Sequence, residues 1–362
     1  MQLFNIFTIY PKNIINNILE FKKHCDAKIC AIVKADAYGH GIDGVVQNIR
    51  RYVDFFGVAD ECEALKVRAL SSKPILVLNL ALKQNLETLI KNQISLSVSS
   101  VNYLKTILKI SKKIKIKAKV HIKINTGMNR LGFSNIESFK TALDLLKKED
   151  MLIFEGLYTH FFDSTNKMTT EIQYVDFCNY VKIAKENFNP IVHASASNAV
   201  LMDKKYQFDM VRLGISMYGY SELNKVNFTP ALSLTSKITN IMKVKKNQTV
   251  GYSGNYIAQR NIKVACVALG YADGLLRENS NNGKVIVNGK YAQIIGNICM
   301  DLFMIDVTNI NCKVGDTVVI IGKQAGLEIT AQDIARRTNT ICYEVLTNLK
   351  RNRMNYHIMK ND

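Results

Sequence analysis

The chain contains no apolar run approaching the roughly 18 residues needed to cross a bilayer, so no transmembrane span is expected. Residues 1–10 are apolar, yet they lack a basic lead and a small-residue cleavage site, so no secretory signal is read there and a cytoplasmic location is expected. Cysteines stand at 25, 30, 62, 178, 266, 299, 312 and 342 with no Cys-x-x-Cys pair and no cysteine/histidine cluster at zinc spacing. This argues against a metal site and leaves most of them as free buried thiols. Acidic residues are few: 30 against 48 Lys and Arg, a net charge of +18. The bases are spread along the chain, without a long basic tail or an aromatic-rich RNA-binding signature, so neither a nucleic-acid nor a membrane partner is expected. The densest cluster, 112–123, alternates Lys with Ile, Ala and Val at period two, as a strand does.

What is present is ordinary for a folded protein, 48% apolar and 22% charged, and 362 residues exceed the usual size of one core. From residue 28 to about 215 one unit recurs: a short strand-like run, a polar or glycine-bearing turn, then a helix-like stretch. The strands fall at 28–33, 53–58, 74–79, 94–98, 117–124, 152–158, 190–194 and 208–213. Amphipathic stretches such as 60–70, 101–110 and 170–187 lie between them. Strand–helix alternation implies a parallel sheet, and this many repeats fit a closed (β/α)8 barrel better than an open doubly wound one. Gly39-His40-Gly41 does not complete a dinucleotide fingerprint. From about 225 strand-length runs follow one another without helices, separated by turns such as Asn281-Asn282-Gly283, Asn288-Gly289 and Val314-Gly315-Asp316. The expected division is therefore a barrel over 1–225 and a mainly β domain over 226–362, an α/β fold with a β appendage.

Chemistry in a barrel belongs at the C-terminal ends of its strands. Lys34 and Tyr38 follow the first strand, 125–130 the fifth, His160 the sixth, Ser195 and Ser197 the seventh, and Arg212, Gly214 and Ile215 close the eighth. Lys34 alone could simply mark where a buried strand meets water. With hydroxyls and a close-approach glycine after strands seven and eight, where barrels bind phosphate, it suggests a phosphate-carrying aldehyde held as a Schiff base.

Six motifs in order carry a resemblance over nearly the whole chain: Val33-Lys34-Ala35-Asp36-Ala37-Tyr38-Gly39-His40-Gly41, Thr126-Gly127-Met128-Asn129-Arg130-Leu131-Gly132, Val211-Arg212-Leu213-Gly214-Ile215, Gly251-Tyr252, Gly270-Tyr271-Ala272-Asp273-Gly274 and Cys299-Met300-Asp301. The chain resembles the bacterial alanine racemases. The resemblance implies pyridoxal 5'-phosphate as cofactor, alanine as substrate, a homodimer with shared active sites, and a supply of D-alanine for peptidoglycan. It makes Lys34 the Schiff-base lysine and one acid–base group, and Tyr252, from the partner subunit, the opposing one. Arg212 would face the pyridine nitrogen, with His160 beside the ring. Tyr38, Ser197, Tyr343 and the backbone N–H groups of Gly214 and Ile215 would hold the phosphate. Arg130 would meet the cofactor phenolate oxygen and the substrate carboxylate, which the Met300 N–H also binds. Lys123 would be a carbamylated lysine that orients Arg130, or else part of a solvated face with Lys119 and His121. Tyr271 and Arg277 would line the entry path.

Three residues depart from the family pattern. Ala196 stands before Ser197 in place of an asparagine, Asn125 where an aspartate is common, and Asn129 where a glycine is frequent. The rival readings are a decarboxylase of the same fold, which would place a glutamate opposite the pyridine nitrogen, and a racemase of broader amino-acid specificity.

Overall fold

The computed structural model describes residues 4–223 and 225–359. They divide into two compact units, one of Ile14–Ala37 with Val45–Phe228, the other of the segment up to Asn13, Tyr38–Gly44 and everything from Thr229 on. The chain's first strand, β1 (Ile6–Ile9), belongs to the second unit.

The first unit is built on β2 (Lys28–Ile32), β3 (Phe55–Val58), β4 (Ile75–Val77), β5 (Ser95–Val98), β6 (Ala118–Lys123), β7 (Leu152–Tyr158), β8 (Ile191–His193) and β9 (Met210–Leu213). Neighbours pair in parallel in the order β8-β7-β6-β5-β4-β3-β2-β9. The ring closes between β8 and β9 through a bridge of Ala196 with Arg212 and the bonds Arg212 N–H to Ser195 O (2.9 Å) and Asp209 N–H to Val192 O (3.0 Å). All eight strands expected from the sequence are present, most a residue or two shorter. Helices cross between them, several with a side-chain cap at the start, where the first N–H groups lack partners. Asp60 accepts from Glu63 N (3.0 Å) and Asn135 from Ser138 N (2.8 Å). In the helix Val101–Ile114 the buried positions are Leu104, Ile107, Leu108 and Ser111, one face at helical spacing.

One irregularity matters below. Between β6 and β7 the register slips: Val120 pairs with Phe154 but His121 pairs with Gly156, so Glu155 is an extra residue in β7. A bulge of this kind re-aims side chains. It lets Glu155 and Tyr158, of opposite parity, both bond side chains of β5: Glu155 the Ser95 hydroxyl and Tyr158 the Ser97 hydroxyl (2.7 Å).

The second unit is antiparallel β throughout its centre. The long β10 (Leu232–Val244) pairs with β1, and the hairpin between Lys284–Val287 and Lys290–Ile295 turns on Asn288 (φ 47°) and Gly289 (φ 75°), the left-handed pair such turns require. The unit's last strand, Asn355–Ile358, lies parallel to β1. Here the structure differs from the expectation that the barrel begins at residue 1. The N-terminal segment contributes a β strand instead of barrel, because Phe7 and Ile9 are fully buried beside β10 and Ile6 to Ile9 register against Thr235 to Leu232. Among the described residues no helix is long and apolar enough to cross a membrane, and no group of His, Cys, Asp and Glu is placed to hold a metal.

Candidate active site

The Lys34 amine stands at the C-terminal end of β2. The chain leaves it through an unusual turn: Ala35, Asp36, Ala37 and Tyr38 all have φ between 51° and 56°. Left-handed backbone costs a non-glycine residue about 1–2 kcal/mol, so four in a row need outside support. Ala37 N–H bonds Val33 O (2.9 Å), and Glu63 accepts from Asp36 N (3.3 Å) and Ala59 N (2.8 Å). Lys34 is exposed at the rim, yet enough protein surrounds the amine that desolvation, followed by Arg130, is the main cause of its lowered pKa; Glu63 opposes and Arg212 adds to it. Among the described residues its Nζ takes no hydrogen bond or ion pair, so the amine is left available for chemistry.

Arg212, from β9, is 4% exposed and tied on nearly every side. Nη1 meets His193 Nδ1 (2.8 Å) and His193 O (3.3 Å), while Nη2 meets Thr159 O (2.8 Å), Ala194 O (2.6 Å) and His160 Nδ1 (3.0 Å). Only the Nε–H remains without an acceptor among the described residues. Burial lowers its pKa to about 10, which still leaves it a cation at neutral pH. A surface ion pair, the ordinary fate of a strand-end arginine, is excluded. Beneath the guanidinium lies Tyr158, with the Arg212 Cζ 5.5 Å and the Lys123 Nζ 5.6 Å from its ring centre and His193 stacked at 4.8 Å with the planes 1° apart. Because an arginine only donates, His160 and His193 both present lone pairs to it. Burial and the Arg212 charge hold both imidazoles well below their usual pKa, hence neutral.

Lys123 is 6% exposed, so the solvated-face reading fails: the alternation of β6 turns Lys123 and His121 into the barrel, not toward water. Desolvation, reinforced by Arg130, Arg212 and Lys34, lowers its amine to about 8. Arg130 itself is exposed, in a loop organised by Asn125. Asn125 Oδ1 accepts from Gly127 N (3.3 Å) and Asn129 N (2.8 Å), and its Nδ2 donates to Asn129 Oδ1 (2.9 Å) and Ser134 Oγ (3.1 Å). The two departures from the family pattern are thus coupled: an aspartate could not donate to Asn129, and a glycine there could not accept.

Ser197 heads the short helix Ser197–Met202 and accepts from Gly214 N (3.2 Å), joining the ends of β8 and β9. Two residues on, the Ser216 hydroxyl is buried with no hydrogen-bond partner among the described residues. Pyridoxal phosphate fits these residues. They offer it a partnerless, desolvated amine, a buried cationic N–H donor and, at the phosphate end, an unpartnered buried hydroxyl beside Ser197 and Gly214.

In the second unit the Tyr38 and Tyr343 rings lie 5.8 Å apart, and burial raises the Tyr38 phenol, which stays protonated as a donor. Tyr252 is 70% exposed. It follows Gly251 (φ 78°), where a Cβ would come within 2.9 Å of Met304 Cε, so the turn that presents the ring needs glycine. The motifs around Tyr271 and Met300 meet: Tyr271 N–H bonds Cys299 O (3.1 Å), Ala272 N–H bonds Met300 O (3.0 Å), and Arg353 links Asp273 (3.0 Å) to Asp301 (2.7 Å). Tyr271, Arg277 and Met300 are all exposed.

Sequence reasoning did not single out Tyr158, His193 or Glu155, which the structure places under or in line with Arg212. The signal for His193 was a polar residue inside the apolar run of β8; for Glu155 and Tyr158 the bulge erased it.

A strand-end lysine with no partner among the described residues, a buried arginine at the end of the last strand, and hydroxyls with a glycine after the last two strands fit a pyridoxal-phosphate enzyme of the barrel class. A family model for the N-terminal domain of alanine racemases matches residues 9–222 and one for their C-terminal domain matches residues 231–357. Alanine racemase 2 of Caldanaerobacter subterraneus is 35% identical over 352 residues, covering 94% of this chain and 91% of that protein. The Methanococcus maripaludis alanine racemase is 36% identical over 345 residues, with 91% and 92% covered. The solved alanine racemase of Clostridium difficile superposes with a TM-score of 0.93 at 33% identity, covering 100% of this chain and 97% of that one. The chain belongs to the alanine racemase family and is a pyridoxal-phosphate-dependent amino-acid racemase, an isomerase acting on alanine. These comparisons do not favour the decarboxylase reading.

Proposed function

We propose that Lys34 and Tyr252 are the two acid–base groups of L- and D-alanine interconversion, acting on opposite faces of the substrate Cα, with Tyr252 of the partner subunit completing each site of a homodimer. The observation that carries this reading is the desolvated Lys34 amine among Arg130 and Arg212, whose lowered pKa enlarges the neutral fraction able to take a proton. Pyridoxal phosphate, when bound, supplies the conjugated ring that accepts the electron pair left on Cα. Lys34 Nζ removes or returns the proton on one face, and the Tyr252 phenol does so on the other, which inverts the centre. Arg212, unable to give up its proton, would face the pyridine nitrogen as a donor only, which would leave that nitrogen unprotonated and the ring a weaker electron sink. His160, held by Arg212, would stand beside the ring. Tyr38, Ser197, Tyr343 and the N–H groups of Gly214 and Ile215 hold the phosphate.

Arg130 binds the phenolate oxygen and, with the Met300 N–H, the substrate carboxylate. Tyr271 and Arg277 line the approach. Lys123 is a candidate for carbamylation: a pKa near 8 leaves part of its amine neutral, and neutral amine plus carbon dioxide gives carbamate plus a proton. An anion would then replace a cation facing Arg130. The D-alanine formed serves peptidoglycan synthesis in the cytoplasm. The mainly β domain, which the N-terminal strand β1 joins, supplies the second base.

The test is a solvent-exchange assay in deuterium oxide across a panel of amino acids. Deuterium should enter Cα of both alanine enantiomers with loss of optical rotation; formation of carbon dioxide or pyruvate instead, or equal turnover of serine or larger residues, would displace alanine racemisation as the main activity.

A further inference from the structure

Below Arg212 a line of polar side chains continues through the barrel interior, away from Lys34. His193 Nδ1 meets Arg212 (2.8 Å), His193 Nε2 meets His121 Nδ1 (2.9 Å), and His121 Nε2 meets Glu155 Oε2 (3.0 Å). Glu155 also takes the Ser95 hydroxyl, and its Oε1 lies 3.7 Å from Lys119 Nζ. His121 and His193 are fully buried.

The direction of such a chain has two states, and its two ends decide between them. Arg212 can only donate, so His193 Nδ1 must be a lone pair and its proton must sit on Nε2. That proton points at His121 Nδ1, which must accept, so the His121 proton sits on Nε2 and points at Glu155. An ionised carboxylate only accepts. Burial pushes the Glu155 pKa up, but His121, Ser95 and Lys119 outweigh it and hold the group below the usual carboxylate range. The reverse direction would set two N–H groups against each other at Arg212 and a lone pair against the carboxylate at Glu155.

The backbone is shaped for this chain. Glu155 is the extra residue of the β7 bulge, and at Gly156 a Cβ would fall 2.1 Å from His121 Nδ1, so only glycine leaves the ring its seat.

We propose that Glu155 is a positioning residue that, through His121 and His193, fixes the direction of this chain, so that His193 accepts from Arg212 and the guanidinium is held with its Nε–H free for the pyridine nitrogen. The proposal rests on the placement of Arg212 given above. The role of the chain is to keep one guanidinium in one orientation.

The experiment uses the full-length holoenzyme labelled with 15N at histidine, the resonances assigned by substitution. Both His121 and His193 should show a protonated Nε2 and a bare Nδ1. Glu155→Gln should introduce a population protonated on Nδ1 and lower kcat roughly tenfold, the low end of the cost of losing a supporting partner of a site residue, with KM changed less than about twofold. Glu155→Asp, which keeps the charge, should restore the single tautomer. Gly156→Ala, which removes no polar group, should act in the same direction as Glu155→Gln and serves if that variant does not fold. A proton on Nδ1 of either histidine in the unaltered protein overturns the proposal, as does a fall in kcat with both tautomers unchanged. If Arg212→Lys leaves the visible absorption of the bound cofactor unchanged while the tautomers are as stated, the placement of Arg212 fails and not the chain.

Discussion

Lys34, Lys123, Arg130 and Arg212 each lie close enough that the pKa of Lys34 or of Lys123 falls in part because of the others. Holding like charges together costs stability, and here the cost is spent on keeping amines partly neutral. The sign for Lys123 follows directly. Its folded pKa, near 8, is below the roughly 10.4 of a free lysine, so between those values the unfolded chain binds more protons and stability rises with pH. Urea midpoints from pH 7.5 to 10.5 should climb in the unaltered protein relative to Lys123→Met; no difference between the two would mean that Lys123 carries no titrating amine. A carbamate predicts that result and a mass increase under native conditions, so the two measurements together decide its state. Lys34→Ala should abolish the visible absorption of the lysine-bound cofactor and lower racemisation at least about a hundredfold, the lower range for general acid–base groups. A variant that retained more than a tenth of the activity would remove Lys34 from its role.

Strands and turns decide where those residues stand. The eight barrel strands were legible from alternation with amphipathic helices, and Lys34, His160 and Arg212 were legible as strand-end residues because barrel chemistry gathers there. The β7 bulge was not legible. Period-two reading puts Glu155 and Tyr158 on opposite faces, and only the register slip against β6 lets both meet partners from β5. The left-handed turn after Lys34 was equally hidden, since Ala35, Asp36 and Ala37 have no intrinsic preference for positive φ and hold it only through contacts such as that of Glu63. The loop before Arg130 depends on Gly132, with φ 128° and a virtual Cβ 2.6 Å from Asn125 N. Gly132→Ala should therefore cost more than about 1 kcal/mol by denaturant unfolding and weaken substrate binding, seen as a raised KM. A fully stable Gly132→Ala protein with unchanged KM would show that the loop geometry does not set Arg130.

At the scale of the whole molecule, Tyr252 and Lys34 stand in different compact units, and the proposal assigns a complete site to two chains. Lys34→Ala and Tyr252→Phe homodimers should each be inactive in racemisation, but after unfolding and refolding together about a quarter of the sites should carry both native residues, because a two-fold dimer pairs the chains at random. Recovery of none of the activity would place both residues on one chain. The sequence by itself determined the strand–helix alternation, the β-rich second half and the ordered motifs, because each is written in short-range periodicity or turn chemistry. Only the tertiary structure decided that β1 joins the β unit, that Lys123 faces inward, and that Arg212 rests on His193 with His121 and Glu155 behind it. Those facts depend on partners 19 or more residues apart in sequence meeting in space, and no local pattern encodes which side chains will share an interior.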